Sequence, residues 1–224
     1  MDYQFVWRPV FKALPQILES AWITLEVSIL SMALGSFIGL LLYFARNSSF
    51  WPAKILSGVW IEVARNTPAL FQLFFFKFGL GAIGIIIGSY TVVLIALSFN
   101  TAGYMAETFR GGFNAVHPAQ LRSARSLGMS FFQAQYHIVV PQVIRAVYHP
   151  MTNQFIWVIL MSSLGMLVGL RELTGETQFL YSKTFRAFEF FAATAIIYYL
   201  IAKIAIGLMR LLAWRLFKDQ RSGA

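Results

Sequence analysis

The amino-acid sequence predicts an all-α membrane protein with about five transmembrane helices, on three observations. The first is composition: 58% of the 224 residues are hydrophobic and only 12% are charged, whereas a soluble domain carries about 25% charged residues. That is too little charge to coat a globule of this size, so lipid is the solvent over much of the surface. The second is a series of long apolar runs, each near the roughly 20 residues a helix needs to cross a bilayer. The third is the placement of the 18 Lys and Arg residues, which fall mostly in short gaps between those runs, the pattern of cytoplasmic loops. They form no single stripe, so the net charge of +9 is not a nucleic-acid-binding signal. The 22 Phe, 9 Tyr and 6 Trp suit lipid-facing and interfacial positions. With no cysteine, a disulfide framework, a thiolate metal site and a cysteine nucleophile are excluded. His117, His137 and His149 have no metal-site spacing and read as interfacial or loop residues.

Residues 1–20 read as an interfacial lead-in on the periplasmic side, with Trp7 at headgroup depth. Asp2, two prolines and the lack of a small-residue cleavage site argue against a secretory signal. The first span, 21–44, has Glu26 as its only charge. The second, 51–76, is interrupted by Glu62, Arg65 and Pro68. The third, 82–106, carries no charge, and the fourth, 147–170, has no Lys, Arg, Asp or Glu. The fifth, 190–209, holds Lys203, whose long stem can snorkel to the headgroups. One transmembrane domain over 21–212 and a basic cytoplasmic tail over 213–224 follow.

Orientation comes from Lys and Arg. With the N-terminus outside, ten of the 18 basic residues fall in inner segments and six in outer ones, while Arg65 and Lys203 lie within spans. The loop 110–125 and the tail 210–221 weigh most. They share a side only if an even number of spans separates them, as the five-span reading provides.

Charges at membrane depth are costly and face the protein interior, a partner or a water path. Glu62 and Arg65 are three residues apart and share a helix face. Pro68 removes a backbone donor and frees the carbonyl of Ala64. Two readings stand side by side: a structural Glu62–Arg65 pair beside a kink, or a polar substrate path lined by Arg65, Thr67 and Pro68. Glu107 and Arg110 repeat the spacing at the end of the third span, where charges anchor a helix at the interface. In the fourth span Ser163 and Gly165 suit close helix packing, while Asn153 and Ser162 are also candidates for the path. The charged turn 171–176 either meets a soluble partner or is solvated.

The stretch 111–130 is too polar to span. It has strong helix formers over 119–127, and Gly128 stands where a helix-ending residue belongs. Ser123 and Ala124 would let a partner backbone approach closely. A polar, small-residue helix between two spans signals docking from the water side. The alternative is an amphipathic helix on anionic lipid, with Arg122 and Arg125 on headgroups.

The run Gln120-Leu-Arg-Ser-Ala-Arg-Ser-Leu-Gly128, followed by Ile138-Val-Val-Pro141-Gln142, resembles the EAA loop of ABC importer permeases. Over nearly its whole length the chain is similar to the polar amino acid permease family, the histidine/glutamate type. Glu62-Val-Ala-Arg65-Asn-Thr-Pro68 resembles that family's second-span motif, and Ala102-Gly-Tyr-Met-Ala-Glu107-Thr-Phe-Arg110 the stretch leading into the loop. Asn153-Gln154-Phe-Ile and Glu172-Leu-Thr resemble the family's fourth-span region. The resemblance implies a five-span bundle in the bacterial inner membrane, N-terminus periplasmic and C-terminus cytoplasmic, with a cytoplasmic coupling helix between spans 3 and 4. Gln120, Arg122, Ser123, Ala124, Leu127 and Gly128 would form the ATPase-coupling surface. The implied partners are two cytoplasmic ATP-binding subunits, a second permease subunit, and a periplasmic amino acid binding protein. This chain has no Gly-x-x-x-x-Gly-Lys-Ser/Thr phosphate loop. It is therefore expected to be a transport subunit and not an enzyme, with no cofactor of its own and ATP and Mg bound by the partner ATPase.

Two departures matter. Arg122-Ser123 stands where the loop motif usually has Glu-Ala, which reverses charge at the ATPase contact. Leu160-Met-Ser162-Ser163-Leu164 stands where the family often has Lys-Asp-Thr-Ser-Leu, so a heterodimer is favoured over a homodimer. The lead-in Tyr3-Gln-Phe-Val-Trp7 and Trp22-Ile-Thr-Leu25 resemble the glutamate/aspartate branch, and the substrate expectation leans that way. The competing function is a standalone proton-coupled secondary carrier, with Glu26 and Glu62 protonatable. An intramembrane enzyme ranks last, for want of a His or Asp cluster at membrane depth.

Overall fold

A computed structural model of the chain describes residues 3–217. Among them, eight helices follow in order and no strand occurs: α1 (Arg8–Arg46), α2 (Trp51–Asn66), α3 (Ala69–Ala82), α4 (Ser89–Asn114), α5 (Pro118–Ser126), α6 (Phe131–Val168), α7 (Leu173–Thr184) and α8 (Ala187–Leu216). Only α1, α4, α6 and α8 are long and apolar enough to cross a membrane.

The second expected span is two helices. Thr67 and Pro68 are extended, with ψ of 145° and 137°, because a proline at 68 offers no N–H to the carbonyl of residue 64. Three other spans are longer or shifted. The third starts only at Ser89, after a turn in which Gly84 takes φ +85°. The fourth begins sixteen residues early, at Phe131, so the motif 138–142 lies inside α6. The fifth continues through Leu216. Of the expected basic tail, Lys218 and Arg221 lie outside the described residues.

α1 is 39 residues long, about 58 Å at 1.5 Å per residue, roughly twice the hydrocarbon thickness of a bilayer. Residues 8–20 are thus the first turns of the same helix as the expected first span. Pro9, Pro52 and Pro118 sit in the first turns of their helices, where a missing N–H costs nothing.

α1 and α4 form the centre of the bundle. Ser31, Gly35 and Gly39 recur every four residues on the contact face of α1. A Cβ on Gly35 would lie 2.6 Å from Thr101 Cβ, and one on Gly39 would lie 2.7 Å from Met105 Cβ and 2.9 Å from the Ala102 carbonyl. Small residues let the two backbones approach where lipid gives no hydrophobic drive. The hydroxyls of Ser20, Thr24 and Ser28 donate to carbonyls one turn back, which satisfies them without water. Of its apolar stretch, α4 buries 61% and α8 only 11%, so α4 is the innermost and α8 the most exposed of the four long helices.

At the end of the bundle opposite α5 lies α7, which the sequence reading did not anticipate. Its Leu173 and Leu180 join Phe190 of α8 and Val10, Ala13, Ile17 and Ala21 of α1 in one core. The expectation that the turn 171–176 is solvated or docks a partner fails at its centre. Glu172 is fully buried and caps α7, accepting from the backbone N–H of Thr174 (3.0 Å) and Gly175 (2.8 Å). It also accepts from the hydroxyls of Tyr198 (2.7 Å) and Thr24 (3.4 Å). Burial pushes its carboxyl above the ordinary carboxylate value, and these donors pull it only part of the way back. Arg171 stays exposed, its guanidinium 3.6 Å over the Phe179 ring. The lead-in folds back on the start of α8: Tyr3 Oη and Val6 N donate to Glu189, and Arg186 Nη1 donates to the Gln4 carbonyl.

Candidate functional site

α5 is a nine-residue helix set between α4 and α6 and closed at both ends. At its start the His117 side chain accepts from Ala119 N–H through Nδ1 at 3.2 Å. At its end Gly128 has φ +88°, and Gly128 and Met129 return their N–H groups to the Arg125 and Ala124 carbonyls, a left-handed cap. Leu121 packs on Val116 of the α4–α5 loop and on Val139, Val143 and Val147 of α6. Gln142 of α6 donates to Gln120 Oε1. Ser130 and Gln133 then cap each other at the start of α6. Gln120, Arg122, Ser123, Leu127 and Gly128 are exposed, Leu127 at 83%. Ala124 is not: it is 5% exposed and turned into the bundle, so the close approach expected of Ser123 and Ala124 together falls to Ser123 alone.

The break at Pro68 is clamped by two amides. Pro68 does free the Ala64 carbonyl, but that carbonyl is capped rather than open. Gln72 Nε2 donates to it at 2.9 Å and Asn100 Nδ2 at 3.0 Å. Gln72 Nε2 also reaches Thr67 O and Oγ1, and Asn100 Nδ2 reaches Gln72 Oε1. Gln72 and Asn100 are 4% and 2% exposed.

The expected Glu62–Arg65 pair does not form. Glu62 accepts from Asn66 Nδ2 at 2.8 Å, one turn along its own helix, while Arg65 turns to α4. There Arg65 Nη1 is 3.8 Å from Glu107 Oε2 and its guanidinium lies 5.8 Å from the Tyr104 ring centroid. Glu107 therefore does more than anchor a helix end. It gathers Arg46 from α1, Arg65 from α2 and Arg110 from its own helix, and Arg110 supplies the direct hydrogen bonds. Arg65, Tyr104, Glu107 and Thr108 line a cavity of about 450 Å³ whose other walls are Gly111, Gly112, Ala115, Ala146 and Pro150.

The five candidate path residues do not meet. Arg65 lines that cavity. Thr67 borders an apolar hollow of about 600 Å³ with Leu34, Trp60 and Phe71, and Pro68 makes the break. Asn153 lines a third cavity, about 380 Å³, with His149, Thr152 and Arg210 between α6 and α8. Ser162 is fully buried and donates to the Ile159 carbonyl at 2.7 Å. Gln72, Asn100 and Tyr104 escaped the sequence reading. The two amides were visible as polar residues within apolar runs.

A family profile described as "Binding-protein-dependent transport system inner membrane component" matches residues 13–218. The glutamine transport system permease protein GlnP of Escherichia coli (strain K12) is 33% identical over 215 residues, covering 95% of this chain and 98% of that one. The probable amino-acid ABC transporter permease protein YckA of Bacillus subtilis (strain 168) is 33% identical, with 91% and 90% covered. Among solved structures, a crystal structure of an amino acid ABC transporter with histidines aligns at a TM-score of 0.88 and 31% identity, over 95% of this chain and 100% of that one. The inward-facing MetNI methionine ABC transporter aligns at 0.63 and 17% identity over 92% and 99%, a likeness of fold alone.

Proposed function

The chain belongs to the family of binding-protein-dependent transport system inner membrane components, and from that premise we propose that it is the permease subunit of an ATP-driven importer of polar amino acids. It is an inner-membrane transport subunit and not an enzyme. The observation that carries the proposal is α5, a short polar helix capped at both ends and tied by Leu121 and Gln120 to the long helices on either side. A helix that merely floats on headgroups needs no such fixation. One that receives force from a partner does.

In this reading the N-terminus is periplasmic, α5 is cytoplasmic, and one of the two ATP-binding subunits of the complex docks on Gln120, Arg122, Ser123, Leu127 and Gly128. Arg122 pairs with an acidic groove. ATP and Mg are held by those subunits. A periplasmic binding protein delivers the substrate, and a ligand shifts the bundle between states only through differential affinity for them. A second, different permease subunit completes the pair, because Leu160 and Met161 stand where relatives often carry a charged Lys-Asp pair. The relatives named above are glutamine and amino-acid permeases, which turns the expected substrate from glutamate or aspartate to glutamine-like polar amino acids. Nothing favours the standalone carrier: Glu26 already accepts from Tyr90 Oη at 3.0 Å.

The test is gentle detergent extraction of the tagged chain, with co-purifying proteins identified. An ATP-binding subunit should come with it. Gly128→Val should lower that recovery about tenfold, because a β-branched residue at φ +88° costs at least about 1–2 kcal/mol, while leaving membrane insertion intact. Recovery of the chain alone, under conditions that hold related complexes together, would refute the reading.

A further inference from the structure

We propose that the cavity between α2, α4 and α6 binds the two groups every free α-amino acid shares, its carboxylate on Arg65 and its ammonium between Glu107 and the Tyr104 ring. The inference deepens the importer reading and rests on it.

Arg65 carries five N–H donors, and among the described residues it donates no hydrogen bond. Its contacts are the 3.8 Å approach to Glu107 and the 5.8 Å approach to Tyr104. An unengaged planar guanidinium on a cavity wall fits a planar carboxylate, which it can take with two parallel bonds. Glu107 does not need Arg65, since Arg110 already donates to it through Nε at 2.8 Å and through Nη2. Three arginines around one carboxylate leave surplus positive charge, so an incoming carboxylate meets attraction.

The ammonium has a counterpart of its own. Among the described residues Glu107 Oε1 accepts no hydrogen bond and is approached by Arg46 Nη1 alone, at 3.8 Å. The Tyr104 ring, which lines the same cavity and has the Arg65 guanidinium 5.8 Å from its centroid, offers a cation–π face. The opposite walls carry little that could read a side chain: Gly111, Gly112, Ala115 and Ala146 present hydrogens and methyls, and the Thr108 hydroxyl, which donates to the Tyr104 carbonyl at 3.0 Å, keeps only its acceptor capacity. The cavity therefore recognises that the cargo is an amino acid, and selection among amino acids is left to other surfaces.

The test is equilibrium binding of radiolabelled L-glutamine to the purified permease–ATPase complex, without binding protein. The competitors are L-glutamine, 4-aminobutanamide, which lacks only the carboxylate, and 4-carbamoylbutanoic acid, which lacks only the amine. Each analogue should compete at least about tenfold less well than glutamine, the scale of a lost charge-assisted hydrogen bond. Arg65→Ala should erase the penalty for the missing carboxylate and spare the penalty for the missing amine; Glu107→Gln should do the reverse. Arg65→Lys, which keeps the charge, should keep most of the carboxylate discrimination. A wild-type complex that binds both analogues as well as glutamine overturns the proposal, as does an Arg65→Ala complex that keeps its carboxylate preference. Uptake into vesicles by the full transporter with binding protein separates the two levels. Uptake without glutamine binding to the complex overturns this site alone, whereas failure to take up any amino acid overturns the importer reading.

Discussion

The amide clamp at Pro68 makes a prediction whose size follows from the geometry. Consider Gln72→Leu, Asn100→Leu and the double variant. In either single variant the Ala64 carbonyl keeps one donor, because Gln72 and Asn100 each reach it independently, at 2.9 and 3.0 Å. Each single change therefore removes hydrogen bonds without stranding that carbonyl, at a net cost of about 0.5–1.5 kcal/mol per bond lost. The double variant strands it. Pro68 supplies no N–H, Gln72 and Asn100 are buried, and an unsatisfied buried carbonyl costs about 1–3 kcal/mol more. The double variant should thus lose at least about 1 kcal/mol beyond the sum of the singles, measured by thermal or denaturant unfolding in a single detergent. Restoring the backbone donor provides the control. Pro68→Ala should raise the stability of the double variant by more than it changes the wild type, because only there is the carbonyl without a partner. Additivity of the two singles within about 0.5 kcal/mol, or a Pro68→Ala effect equal in both backgrounds, would refute the clamp.

Two further outcomes are expected. Gly39→Ala should destabilise by about 1–3 kcal/mol through overpacking, since its Cβ would sit 2.7 Å from Met105 Cβ and 2.9 Å from a backbone oxygen, whereas Gly58→Ala in α2, with nothing within 4 Å, should stabilise by up to about 1 kcal/mol; equal melting temperatures for the two variants would count against the close α1–α4 approach. For Glu172 the folded carboxyl lies above its ordinary value of 4.5, so the folded state holds the proton more tightly. Its contribution is full below about pH 4.5 and is lost as pH rises through the folded value. Glu172→Gln should flatten the stability–pH curve in that window, and an unchanged slope would show that another group titrates there.

The long helices were legible because lipid exposure writes itself into composition: runs of apolar residues, with basic residues at their ends. α5 was legible for a local reason, as helix formers over 119–127 end at a glycine that takes the left-handed conformation. What failed was whatever depended on a partner distant in sequence. Spacing alone pairs Arg65 with Glu62 three residues away, but the carboxylate it meets is Glu107 on another helix. Buried acids look like a solvated turn until Thr24 and Tyr198 are seen to close over Glu172. Other signals were present and passed over. Ser31, Gly35 and Gly39 are spaced for a helix contact, and Gln72 lies eight residues beyond a carbonyl that Pro68 was known to free.

These two kinds of feature meet at one place. Leu121 packs against α6, and the Val139, Val143 and Val147 cluster that receives it also takes in Phe109 and Phe113 of α4. On α4, Phe109 lies two residues past Glu107, and on α6, Ala146 and Pro150 face the cavity from beside Val143 and Val147. A push on α5 passes through this cluster, which includes Val139 of the π-helical turn Gln135–Val139, to the two helices that wall the cavity, since a close-packed interior transmits strain. Under the proposed reading, closure of the ATP-binding subunits would therefore move α4 and α6 together, and Arg65 with them, because the Gln72–Asn100 clamp ties the α2–α3 break to α4. The ionic contact between Arg65 and Glu107 at 3.8 Å, too long to be a hydrogen bond, is weak enough to be exchanged for a ligand.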